Sequence, residues 1–134
     1  MNIIEKVREL NFPPGEYVVV GSGSLEALGI RPARDMDIAV LPELFARLQA
    51  TGAWEKEVRY GKTFLKKEGI DIIPKLSWSD YPTSTEEAIA SAMIIDGIYF
   101  MNLKELRKFK EALGREKDFA DIALIDAYLK KHGS

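Results

Sequence analysis

The chain has 134 residues, 46% of them hydrophobic, with 19 Lys and Arg set against 21 Asp and Glu for a formal net charge of -2. This length suits one globular domain over residues 1–134, and the slight acidity argues against a general nucleic-acid coating role. The absence of cysteine excludes disulfides and thiolate metal sites.

The opening "MNIIEKVREL" lacks the basic and continuous apolar regions of a signal peptide. No apolar run reaches the roughly 20 residues that a bilayer crossing needs. The expectation is a soluble, cytoplasmic protein without a membrane partner. Charge is nevertheless clustered: Lys104, Arg107, Lys108, Lys110, Arg115 and Lys117 crowd one C-terminal segment, opposed by Glu105, Glu111 and Glu116.

Asn2, with Glu5 three residues on, caps a first helix carrying Ile3, Ile4, Val7 and Leu10 at helical spacing, and "NFPPGE" ends it. Tyr17 to Val20 is a short apolar run suited to a buried strand, followed by a Gly-Ser turn and a short helix over roughly Ser24 to Leu28. Asp35 to Leu41 reads as the next strand. Pro42 opens a helix with Leu44, Phe45 and Leu48 on its apolar stripe.

Trp54 to Tyr60, Lys62 to Lys67 and Ile70 to Pro74 read as strands joined through Gly61 and Gly69 in a tight meander. Ser84 and Glu87 offer a capping box for a helix near Thr85 to Ala92, and "MIIDGIYF" reads as a hairpin around Asp96-Gly97. Asn102 caps a helix with Leu103, Leu106, Phe109 and Leu113. Gly114 breaks it, and a last helix runs from Arg115 to Lys131. There, Phe119, Ile122, Ala123 and Ile125 form an expected core stripe, with Lys117, Asp118 and Asp121 facing away. The fold class is α/β (α+β), a mixed sheet flanked by helices and closed by two C-terminal ones.

The chemistry centres on "VVVGSGSLEALGIRPARDMDIAV". Alternation along "DMDIAV" points Asp35 and Asp37 to one face and Met36, Ile38 and Val40 to the other. At about 6 to 7 Å between Cα atoms, the two carboxylates can reach one Mg²⁺ or a pair of ions. Upstream, Gly21-Ser22-Gly23-Ser24 offers backbone N–H groups at a helix start, where a triphosphate fits. Arg31 and Arg34, in the loop beyond, are either phosphate-steering or simply solvated. Mg²⁺ is commonly shared between carboxylates and substrate phosphates, so cradle and Asp pair form a coherent nucleotide-metal site. Asp71, between Ile70 and Ile72, supplies a third carboxylate. A dinucleotide fingerprint fails at Glu26, where a third small residue should stand.

On these residues the chain resembles the nucleotidyltransferase superfamily with the polymerase-beta-like fold. Its pattern is an apolar strand, Gly-Ser, a spacer, Asp-x-Asp and a later Asp between apolar residues. Leu28, Gly29 and Arg31, together with "KFKEALGREKDFADIALI", are similar to the small AbiEii-type branch. The resemblance implies Mg²⁺ (or Mn²⁺) on Asp35, Asp37 and Asp71, triphosphate on Ser22 or Ser24, and Lys110, Arg115 and Lys117 lining the nucleotide or acceptor cleft. It implies transfer of a nucleoside monophosphate from an NTP to an acceptor that the chain does not name: RNA, protein or a small molecule. Two alternatives stand beside it. One is an antitoxin-like module that binds nucleotide without turnover, and the other a toxin directed at tRNA. A partner protein is compatible with each.

Overall fold

The computed structural model of the chain describes residues 2–132. Helix α1 (Ile3–Leu10) starts where the Asn2 side chain accepts the Glu5 N–H and stops at Asn11, whose backbone turns left-handed. Strand β1 (Tyr17–Val20) runs into helix α2 (Ser22–Ala27), and β2 (Met36–Val40) leads to α3 (Pro42–Ala50), which has Pro42 in its first turn. The meander is β3 (Glu55–Arg59), β4 (Lys62–Lys67) and β5 (Ile70–Ile73). Then come α4 (Thr85–Ala90), with the Ser84/Glu87 capping box formed, and the hairpin β6 (Met93–Ile95) and β7 (Ile98–Phe100). Helices α5 (Leu103–Leu113) and α6 (Glu116–Lys131) follow, separated at Gly114 by a left-handed cap.

All seven strands form one mixed sheet in the order β3-β4-β5-β2-β1-β7-β6. Antiparallel β1 and β2 sit near its centre, and β5 lies parallel to β2. Side-chain alternation divides the core into two layers. Tyr17, Val19, Met36, Ile38 and Val40 pack with Ile3, Val7 and Leu44 on the α1/α3 face. Val18, Val20 and Ala39 pack with Leu106 and Ile125 on the α5/α6 face. Asp37 and Asp71 share the odd-numbered side of their strands with Ala39 and Ile73, and so belong to the α5/α6 face. A mixed α/β architecture with two C-terminal helices is therefore present as the patterning implied.

Three local expectations are corrected. Helix α2 begins at Ser22 rather than Ser24, because Gly21, at φ 66° and ψ -140°, turns the chain straight from β1 into the helix. Strand β2 begins at Met36, leaving Asp35 exposed just ahead of it.

The stripe of α6 is also different. Ile122 and Ile125 are buried as expected, but Phe119 is 57% exposed and Ala123 is exposed, whereas Asp118 and Asp121 are buried. Cations hold these aspartates inside. Lys110 Nζ lies 2.8 Å from Asp121 and 3.6 Å from Asp118, Arg31 pairs with Asp121 through two nitrogens, and Arg115 with Asp118 likewise. Buried charge is tolerated only when it is paired and hydrogen-bonded in this way.

Candidate active site

The site assembles where β2 begins, beside its neighbours β1 and β5. Asp37 pairs in register with Val20, the residue before the Gly21 turn, and with Asp71 on the parallel strand. Two carboxylates thus stand side by side on one sheet face, a contact that like charges oppose. Burial, then the charges of Asp71 and Asp35, push the Asp37 carboxyl up from 3.8 to about 6, against the opposing pull of Arg59 and Arg115. That crowding is what a divalent cation would relieve, and hard carboxylate oxygens suit Mg²⁺ or Mn²⁺. The donors fit such an ion in kind. Among the described residues, however, no three acidic, His or Cys side chains are already grouped to hold one. Asp71 is held by cations instead: its Oδ2 is 3.2 Å from Arg59 Nη2 and its Oδ1 is 3.7 Å from Lys66 Nζ.

The turn residues divide into two roles. A Cβ on Gly21 would stand 3.4 Å from Asp37 Oδ2, an ordinary contact, so the turn lies against the carboxylate, and its φ of 66° is what calls for glycine. The Ser22 hydroxyl donates to the Asp35 carbonyl at 3.3 Å and ties the turn to the first acid. Gly23 instead serves packing, since a Cβ there would meet Val19 Cγ1 at 2.5 Å. Ser24 is fully buried and its hydroxyl donates to the Met101 carbonyl at 3.0 Å. Of the two candidate serines, Ser22 lies at the acids and Ser24 in the core.

The basic candidates also separate. Arg31 and Lys110 belong to the ion-pair cluster around Asp121, and that cluster pins α5, α6 and the loop after α2 together. Lys117 is exposed on α6. Arg115, at the start of α6, remains half-exposed beside Asp118, and the charge of Asp37 acts on it after that closer pairing. The rest of the C-terminal cluster is largely charge-balanced: Arg107 pairs with Asp126 and Glu111, and Lys108 lies 3.9 Å from Glu105.

Glu26, the residue that broke the dinucleotide pattern, accepts the Ile3 N–H at 2.7 Å and the Ala33 N–H at 2.9 Å. It therefore anchors the start of α1 and the approach to Asp35. Trp78 and Tyr81 pack with Phe109 as core aromatics.

Two cations and one aromatic escaped the motif reading. Arg59, Lys66 and Tyr60 sit on the β3–β4 hairpin, where Arg59 pairs with Lys62 across the two-residue turn Tyr60-Gly61. Alternation out from that turn puts Glu57, Arg59 and Lys66 on the face of Asp71, a signal already legible in the meander. Tyr60 is 92% exposed at the tip.

The sequence matches no family model, and neither a curated protein nor a solved structure matches it.

Proposed function

We propose that this protein is a metal-dependent nucleotidyltransferase, moving a nucleoside monophosphate from an NTP to an oxygen of an acceptor and releasing pyrophosphate. The observation that carries the reading is the register match of Asp37 with Asp71, with Gly21 packed against the Asp37 carboxylate. Asp35 and Asp37 are the residues that would hold Mg²⁺ or Mn²⁺, with Asp71 completing the set. The bound ions would neutralise charge on the triphosphate and on the departing pyrophosphate.

The chain's own groups do the remaining work. The Gly21-Ser22 turn receives the triphosphate next to Asp37, through backbone N–H groups and the Ser22 hydroxyl. The six-residue α2 makes this a local cradle rather than a long dipole. Arg115, at the start of α6, acts on the same carboxylate through its charge and offers a cation to the phosphates. Asp71 accepts the acceptor's proton as the new bond from oxygen to the α-phosphorus forms and the bond to pyrophosphate breaks.

The test is transfer of label from α-³²P NTPs, with Mg²⁺ or Mn²⁺, to RNA, protein and small hydroxyl or phosphate acceptors. Label on an acceptor, lost in Asp37→Asn, supports the reading. Metal-dependent NTP binding without transfer to any acceptor overturns it in favour of the binding module. The observation that favours this second reading is the hold of Arg59 and Lys66 on Asp71, which leaves the third acid already neutralised.

A further inference from the structure

Arg59 is ion-paired to Glu57 and Asp71 with its side chain 36% exposed, yet one of its nitrogens lacks an aligned acceptor. Its Nη2 donates to Asp71 Oδ2 at 3.2 Å, and its guanidinium lies over the Phe64 ring, 4.5 Å from the centroid. Its Nε stands 2.9 Å from Glu57 Oε1 but out of hydrogen-bond alignment, so this buried donor has no hydrogen-bond partner. A buried guanidinium nitrogen without an aligned acceptor is costly, and its presence beside two carboxylates requires a reason. The flat ring of Phe64 is a shelf on which a guanidinium can slide while keeping its cation–π contact. Arg115 is the second arginine whose charge acts on Asp37.

We infer that Arg59 is a two-position residue, neutralising Asp71 when the site is empty and turning to the nucleotide's phosphates once metal has taken over the acids. The inference rests on the nucleotidyltransferase reading and adds a residue that the motif did not contain. In the first position Arg59 competes with a cation for Asp71. In the second its planar fork of donors closes on phosphate oxygens, the geometry for which guanidinium is suited. Lys66, 3.7 Å from Asp71 and 2.9 Å from Glu57, stays behind as the weaker counter-charge.

The consequence is a pair of effects of opposite sign. In Arg59→Gln, Mn²⁺ affinity without nucleotide, read by electron paramagnetic resonance of free Mn²⁺, rises severalfold because the competing cation is gone. Affinity for a non-hydrolysable ATP analogue at saturating Mg²⁺, read by calorimetry, falls by about tenfold, the loss of one charge-assisted contact. A structural role alone would weaken both or neither, and either of those results overturns the proposal. Wild type that binds neither Mn²⁺ nor the analogue would overturn the nucleotidyltransferase reading itself, and the proposal with it. Should Arg59→Gln fail to fold, the wild-type Arg59 Nε–H resonance carries the test. It must shift when Mg²⁺ is added and shift again with the analogue, and a resonance that moves at neither step contradicts the exchange.

Discussion

Asp37 and Asp71 occupy opposite positions on two adjacent parallel strands, so two carboxylates face each other at the sheet position where Gly21 gives up its side chain. The relationship ties the site's electrostatic cost to its proposed chemistry, because the repulsion that burdens the metal-free protein is the attraction offered to a cation.

The first prediction concerns that burden. With its pKa raised from 3.8 to about 6, ionised Asp37 costs the native state up to about 3 kcal/mol at pH 7. Native Asp37 takes up its proton as pH falls through about 6, the unfolded carboxyl only near 4. Stability of the metal-free protein therefore rises as pH falls across that window. Asp37→Asn should stabilise the protein by about 1–3 kcal/mol at pH 7 and by little at pH 4, measured by urea unfolding at both values. Equal effects at the two values would contradict the assignment.

The second concerns the buried cluster of Arg31, Lys110, Asp118 and Asp121. Burial opposes ionisation of Asp121, but the hydrogen bonds from Arg31 and Lys110 prevail and bring its pKa down to about 2. Its stabilising contribution is present above the unfolded value near 4 and is lost as pH falls toward 2. Asp121→Ala leaves Lys110 buried with less compensation and should cost about 3–5 kcal/mol. The matched replacement Lys110→Met with Asp121→Leu should recover much of that loss. A double variant no more stable than Asp121→Ala would speak against the pairing as the cause.

The third separates the two glycines of the turn. Gly23→Ala drives a Cβ into Val19 and should cost about 1–3 kcal/mol of stability, partly restored by Val19→Ala. Gly21→Ala meets a backbone conformation open to glycine and places a methyl against Asp37, so it should weaken nucleotide binding in addition to stability. Unfolding and nucleotide-binding titrations on both variants distinguish the roles.

The fourth concerns Tyr60, a bulky residue at φ 53° with its ring in solvent. Asn tolerates that backbone better, so Tyr60→Asn should stabilise the hairpin by about 0.5–1 kcal/mol. If the exposed ring stacks on the nucleobase, the same change weakens ATP binding while inorganic tripolyphosphate binds as before. Equal losses for both ligands would place Tyr60 on the phosphates instead.

Most of the elements were legible because apolar periodicity, caps and turn glycines agreed along the chain, as at Asn2, Pro42, Ser84 with Glu87, and Gly114. The neighbourhood of Asp37 and Gly21 was legible because both lie within one strand-turn-strand unit. Long-range charge was not. Asp118 and Asp121 read as a solvated face because periodicity does not reveal that Lys110 and Arg31 arrive from other elements to neutralise them. Ser24 looked equivalent to Ser22 until the Met101 carbonyl, 77 positions away, claimed its hydroxyl. Arg59 differs from these: the register of the meander, legible from its two-residue turn, places it on the face of Asp71, but it lies outside the acidic motif.

The most direct measurement is thermal unfolding of wild type and Asp37→Asn with each NTP, with and without Mg²⁺. At a ligand concentration a hundred times its dissociation constant, binding adds about 2.7 kcal/mol, a readable rise for a chain of this length. Wild type should show a rise that needs both NTP and Mg²⁺, and Asp37→Asn should show none. No rise with any NTP, or an equal rise in both proteins, would contradict the nucleotidyltransferase reading.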